Sequence, residues 1–461
     1  MKMKKLALTN INIIYIVITI SILGIATLSY INRFGAGITY DSIFYITGGD
    51  NIVKGDGYID IWGKPTVNWP PLYSSFIAFF SLITGSAIQS ANYVSIIFFG
   101  LNIFLVGIIL FRITNNSYWP TILGLIIFST SFDMYLVHRM AWSEPAFYFF
   151  MLLSLFYISK FLEQKSFTPL FLSSIFITLA IMARYVGVLF LFVGSFALIF
   201  KLKDSIAKKI KYFLILSLIP LLTLAAWITR NYLLTQSSFQ RTIQIHPIKI
   251  ADLKVLFDTL SNWFFPFGVS NKLELIGSFI LVAISVSLLL YFSWQLLVKR
   301  NSLKPLPYIF LVFTIFFIAT IFLFRLFLHA HDNAAFRFRL VSPVYISGLI
   351  LVVWLVSVEL NIKKTIPLIK YLLLSILLLL LLAHVIRIGR WVKGVDDGYG
   401  YASSKWKNSE TINYVKSLPD SIKVYTNLPS LFCLYTDKNI ESVYINDYSK
   451  INFIKNGFFR R

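Results

Sequence analysis

The sequence predicts an all-α polytopic membrane protein of about 11 transmembrane helices, with interfacial helices in its first outer loop and a small C-terminal α/β domain outside the bilayer. Three observations carry this. Hydrophobic residues make up 57% of the chain and charged ones 13%, a balance outside the range of soluble domains. The apolar residues recur in runs of about 20, the length that crosses a bilayer as a helix. The 42 basic residues outnumber the 20 acidic ones, giving a net charge of +22. Many of them cluster between apolar runs, as they do in cytoplasmic loops of membrane proteins. That distribution sets nucleic acid aside as a partner.

Each element follows in order. The basic head MKMKK precedes an apolar run, residues 11–31, with no small-residue cleavage site after it; it is predicted to be a retained first span. The stretch ITYDSIFYITGGDNIVKG that follows is amphipathic, with Ile43, Phe44, Ile46, Ile52 and Val53 expected to rest on the membrane and Asp41 to face a cavity. Gly48, Gly49 and the Gly55 to Gly57 pair are expected to turn the loop back over the membrane, leaving Asp50, Asp56 and Asp60 as loop residues. Further apolar segments lie near 90–111, 118–137, 145–162, 168–183, 185–200, 210–229, 273–297, 305–327, 339–358 and 366–386.

Residues 71–85 pose the topological question, and charge decides it. If they crossed, the lysine cluster Lys201 to Lys211 would lie on the opposite side from the basic amino terminus. If they lie in the interface, Arg112, Lys160, Lys165, the Lys201 to Lys211 cluster, Lys299, Arg300, Lys304, Lys363 and Lys364 all join the amino terminus inside. The second arrangement is predicted. It describes a multi-pass cell-membrane protein with a cytoplasmic amino terminus and an extracytoplasmic carboxyl terminus.

Two domains are expected, a transmembrane unit over 1–386 and an extracytoplasmic unit over 387–461. The tail alternates helical SETINYVKSL, strand-like IKVYTN, helical PSLFCLYT and strand-like ESVYIND. The one cysteine, Cys433, has no partner for an intramolecular disulfide.

In this topology the unusual polar residues gather on the outer face. Asp41 follows the first span, and Glu144 opens the fourth in HRMAWSEPAFYFF. Alone, Asp41 also reads as a solvated acid or helix cap, and Glu144 as a helix start favoured by the dipole and by Pro145. Arg139, Arg184, Arg230, Arg241, Arg325, Arg337 and Arg339, with His329 and His331, fall at outer ends of spans, where the positive-inside tendency disfavours them. Such an excess asks for an anionic partner, and guanidinium groups bind phosphate through forked, charge-assisted hydrogen bonds. Pairing with the acids and snorkelling to lipid headgroups are the competing explanations. His329 and His331 share a face only in extended chain, and no further His or Cys cluster lies nearby, which argues against zinc. The sequence asks for no cofactor; Asp41 and Glu144 could hold a divalent metal without requiring one.

Asp41, then GDGYIDIWGKPTVNWPPLY, SEP, WITRNYLLT and HDNAAFRFRLVSPVY, in that order over roughly residues 10–350, resemble the GT-C superfamily of membrane glycosyltransferases. The likeness is to relatives of protein O-mannosyltransferases and lipid A aminoarabinose transferases, glycosyltransferase family 39-like. It implies a GT-C-like fold and transfer of a hexosyl or pentosyl unit from a polyprenyl-phosphate sugar donor to a hydroxyl of a glycan, lipid or protein acceptor. The reaction would run on the extracytoplasmic face, in cell-envelope glycan biosynthesis. By the same resemblance Asp41 is the catalytic base, Glu144 the second acid of the cavity, and Trp69-Pro70-Pro71 leads into an interfacial helix. Arg230 and Arg337 or Arg339 fall where relatives place basic residues for the carrier phosphate. Arg139, Arg184, Tyr58 and Trp69 complete the expected substrate-binding set. Two departures stand out: Ser42 replaces a second acid that follows the first in many relatives, and Trp69 replaces a lysine before the prolines. The first puts metal use in doubt, the second a phosphate-binding lysine.

The competing classes are a lipid or glycolipid transporter or flippase, and a non-catalytic scaffold. Transporters carry ionisable groups near mid-membrane and paired repeats. Here nearly all charges sit at span ends, which favours the enzyme.

Overall fold

The computed structural model describes residues 2–238, 244–263, 303–327, 334–361, 367–393, 397–436, 438 and 440–442, with scattered positions between 276 and 298. Among these, the long apolar helices are α1 (Lys2–Ile31), α4 (Ala87–Ile113), α7 (Glu144–Gln164), α10 (Ile206–Thr235), α12 (Pro305–Phe327), α13 (Phe338–Asn361) and α14 (Pro367–Lys393). The remaining ones before the tail are α2 (Tyr40–Lys54), α3 (Leu72–Thr84), α5 (Tyr118–Ser129), α6 (Phe132–His138), α8 (Phe167–Ala183), α9 (Leu189–Lys201) and α11 (Ile250–Asn262). Helices α1, α4, α7, α10, α12, α13 and α14 each contain a stretch long and apolar enough to cross a membrane, seven among the described residues, or eight if the bent pair α5 and α6 is one span. Two more of the eleven expected spans appear as shorter helices, 168–183 within α8 and 185–200 within Tyr185–Lys201. The segment 273–297 lies largely outside the described residues.

The bundle packs through small residues where backbones approach closely, as membrane helices do. A Cβ on Gly107 of α4 would lie 2.7 Å from Val17 of α1. Helix α7 packs on α8, α4 and α12, and α13 on α12, α5 and α14. Between α5 and α6 the axis turns by 51°. The break leaves amides of α6 without helical acceptors, and the Phe132 N–H finds the Nδ1 of His384 at 3.4 Å.

Ion pairs among the described helices gather at the two ends of the bundle. At one end Arg112 pairs with Glu163, Lys165 with Asp204 at 2.8 Å, and Lys201 donates to the Leu303 carbonyl at 2.6 Å. The other end carries Asp41, Glu144, Arg184 and Arg339. Helix α3 has 13 residues and so extends about 20 Å, too short to cross the roughly 30 Å hydrocarbon core unaided.

Three expectations change. Ile43, Phe44 and Ile46 are buried at 0%, 5% and 2% exposure, so this face of α2 packs on protein and not on the membrane. Gly48 and Gly49 lie inside α2 and turn nothing; a Cβ on Gly49 would lie 2.7 Å from Ile77 of α3, so the pair serves close helix packing. The turn belongs to Gly55 and Gly57, with φ of +88° and +87°. Helix α14 runs through Lys393, past the boundary expected at 386, because its last turns pack Trp391 against Phe132.

The tail forms short helices α15 (Ser404–Lys407), α16 (Glu410–Ser417) and α17 (Pro429–Thr436), and a parallel pair of strands β1 (Val424–Thr426) and β2 (Ile440–Ser442). Its small core of Ile412, Val415, Phe432, Cys433 and Ile440 also packs against Ile61 of the first loop. The tail is tied to the bundle through main chain. Ile38 donates to the Tyr399 carbonyl at 3.2 Å and accepts from Tyr401 at 2.8 Å, while Gly37 exchanges bonds with Arg139 and Ala141 at 2.8 and 2.9 Å. The segment leading to Asp41 is thereby held on both edges.

Candidate active site

Asp41 stands in the first turn of α2, but the cap of that helix is made by its neighbours. The Thr39 N–H donates to Ser42 Oγ at 3.0 Å, and the two hydroxyls lie 3.1 Å apart. Trp142 Nε1 donates to Thr39 Oγ1 at 2.8 Å. The Asp41 carboxylate is therefore not the cap. Its side chain is 29% exposed and its Oδ2 accepts from Arg339 Nη1 at 2.7 Å.

Glu144 opens α7 with Pro145 behind it, as the dipole and the proline favour. Its side chain is 2% exposed, and a buried carboxylate stays ionised only when paired. Two arginines meet it. Arg339 takes it side-on, Nε to Oε1 and Nη2 to Oε2, the latter at 3.3 Å. Arg184 Nη1 reaches Oε1 from the other side and also donates to Ser143 Oγ at 3.3 Å.

Local sequence explains these directions. Arg184 ends α8 in an extended conformation, which turns its side chain out of the helix. Arg339 sits in the first turn of α13, its guanidinium 4.0 Å above the Trp142 ring. Behind them Tyr45 bonds Ser143 at 2.9 Å, with burial raising its phenol well above the ordinary range. Tyr148, one turn after Glu144, bonds Ser342, which in turn donates to the Arg339 carbonyl at 2.8 Å. Two anions and two cations thus meet from four elements with zero net charge.

The other expected site residues divide. Arg230 and Tyr58 belong to a separate set that holds the first loop. Arg230 donates to the Thr66 carbonyl at 2.9 Å and the Tyr58 carbonyl at 3.1 Å, and stacks on Trp227 at 4.8 Å. Tyr58 donates to the Trp69 carbonyl at 3.2 Å. Trp69 stacks on Phe44 at 4.5 Å and meets the edge of Tyr45 at 6.1 Å, which brings it to the rim of the acid cluster. Arg337, two residues before Arg339, is exposed. Arg139 is not brought to the acids: it is buried between Trp391 and Tyr399, at 4.5 and 4.4 Å from the ring centres. Arg325 is likewise engaged, by Asp252 at 2.7 Å. Arg241, His329, His331 and Asp332 lie outside the described residues.

Sequence reasoning missed Trp142, Ser143, Tyr45 and Tyr148. The first two adjoin Glu144 in the WSEP string, and that adjacency was the available signal. Among the described residues no group of three or more His, Cys, Asp or Glu side chains could hold a metal.

Residues 68–228 match the family model described as dolichyl-phosphate-mannose-protein mannosyltransferase, a stretch that includes Trp69, Arg139, Glu144 and Arg184. No curated protein is matched by the sequence. Among solved structures, ArnT from Cupriavidus metallidurans in the apo state superposes with a TM-score of 0.59 at 10% identity, over 96% of this chain and 88% of that one. The same protein bound to undecaprenyl phosphate gives 0.56 at 11% identity, over 95% and 88%. The archaeal oligosaccharyltransferase AglB from Archaeoglobus fulgidus, in complex with an inhibitory peptide and a dolichol-phosphate, gives 0.51 at 12% identity, over 92% of this chain and 64% of that one. The chain thus has the fold of ArnT and AglB, and its first half carries the match to the mannosyltransferase family model.

Proposed function

We propose that the protein transfers a sugar from a polyprenyl-phosphate donor to an acceptor hydroxyl, on the membrane face that carries Asp41. The positive-inside distribution of the lysines supports reading that face as the extracytoplasmic one. The observation that carries the reading is the convergence of Asp41, Glu144, Arg184 and Arg339 at one end of an apolar bundle. The polyprenyl phosphates held by ArnT and AglB support the donor class.

The chemistry needs little else. The acceptor oxygen forms a bond to the anomeric carbon as the bond from that carbon to the phosphate oxygen breaks. The hydroxyl proton passes to Asp41, and the polyprenyl phosphate leaves with the bonding pair. A phosphate is a good leaving group that asks for cations, so one base suffices. Asp41 offers Oδ1, since Oδ2 accepts from Arg339. Arg339 has two of its five N–H groups left for a phosphate oxygen. Because the four charges cancel, the donor's negative charge needs one more cation, and exposed Arg337 stands two residues away. Glu144, with both oxygens taken by arginines, acts by positioning them. Arg230 and Tyr58 hold the first loop, whose Trp69 reaches the rim of the cluster.

Incubating purified protein with a labelled polyprenyl-phosphate sugar tests the reading. Transfer to an acceptor, or slow hydrolysis without one, is expected. Movement of the intact lipid across liposomes with neither reaction would replace it with the transporter reading.

A further inference from the structure

Asp41 and Glu144 come from separate elements and converge on one cation supplied by a third, Arg339, which is 298 positions from Asp41 in the chain. Two carboxylates drawn together in this way require a shared proton or a cation between them. A divalent metal is the usual candidate and would need six or more oxygen ligands. The residues present do not fit that need while Arg339 holds both carboxylates. Ser42, next to Asp41, is buried and spent on the helix cap, and Ser143, next to Glu144, is shared by Tyr45 and Arg184. Both Glu144 oxygens face arginines, and Asp41 Oδ2 lies 2.7 Å from Arg339. The guanidinium is fixed from a third direction by the Trp142 ring at 4.0 Å.

We infer that Arg339 is the built-in cation of this site, so that glycosyl transfer here is independent of divalent metal. This rests on the proposed transferase reading and adds its cation. Removing the side chain leaves Asp41 and Glu144 facing a guanidinium-sized space with Arg184 as the remaining paired cation. Such a space should accept free guanidinium, and its excess negative charge should now attract a divalent ion.

Two measurements on the full-length protein in detergent test this. Electron paramagnetic resonance with Mn²⁺ reads metal binding without reference to activity. Wild type is expected to bind no Mn²⁺ that Asp41→Asn abolishes, whereas Arg339→Ala gains such binding. In the transfer assay, wild type is expected to be unaffected by EDTA. Arg339→Ala should lose about 10²-fold or more and recover in part with millimolar guanidinium, and Arg339→Lys should retain an intermediate rate. Wild-type Mn²⁺ binding lost in Asp41→Asn, or EDTA-sensitive wild-type activity restored by Mn²⁺, would overturn the inference while leaving the transferase reading intact. Absence of transfer from any donor would remove that reading, and the Mn²⁺ comparison of wild type would still decide the cation. Should Arg339→Ala not fold, wild type and Arg339→Lys carry both measurements.

Discussion

Glu144 is the residue on which the site's geometry depends most. It is nearly fully buried and is met by two guanidinium groups, and breaking a buried pair by removing one partner costs about 3–5 kcal/mol. Glu144→Gln is therefore expected to lower the thermal unfolding midpoint clearly and to reduce transfer as Arg339 and Arg184 lose their anchor. A variant as stable as wild type would show that the arginines are held by something else. Trp142 acts more gently. A cation over an aromatic face is worth about 0.5–2 kcal/mol, so Trp142→Ala should weaken donor binding about 2- to 30-fold and Trp142→Phe less, measured as KM for the lipid donor. At this scale sequence alone had limited reach. Arg139 and Arg339 both stand at span ends with similar neighbours, and nothing local separates them. What separates them are partners far along the chain, Trp391 and Tyr399 for one and the two acids for the other.

Secondary-structure elements show the same division between local and distant causes. Helices α1, α4, α7 and α12 were legible because about 20 apolar residues in a row have one stable solution in a bilayer. The glycine pair in α2 was not, since Gly-Gly reads as a turn until Ile77 and Ser74 are known to lie against it. Gly49→Ala places a Cβ 2.7 Å from Ile77 and 3.0 Å from the Ser74 carbonyl oxygen, an overpacking that should cost about 1–3 kcal/mol and appear as a lower unfolding midpoint. At Gly400 a Cβ would meet the Ile38 carbonyl oxygen, and φ is +60°. The Gly37–Ile38 segment sets the register of Asp41, while the arginines come from other elements. Gly400→Ala is thus expected to lower kcat several-fold with KM for the donor nearly unchanged. An equal rise in KM with kcat preserved would assign the clamp to donor binding instead.

For the whole molecule, net charge and its placement are the basis of the proposed membrane orientation. Lysines with their partners occupy one end of the bundle and the acid–arginine cluster the other. The fold class was visible in composition, whereas the meeting of residues 41, 144, 184 and 339 required the packed bundle. In a Cys433→Ser background, a membrane-impermeant maleimide should label Lys64→Cys but not Lys203→Cys in intact cells, and the reverse pattern would invert the topology. The proposed chemistry stands or falls with Asp41 as the base of the glycosyl transfer. Its most direct test is the turnover of purified Asp41→Asn with a polyprenyl-phosphate sugar and acceptor, alongside its unfolding midpoint. A folded protein whose turnover falls by about 10²-fold or more is predicted, on the scale of a lost general base; a folded protein that turns over near the wild-type rate would contradict it.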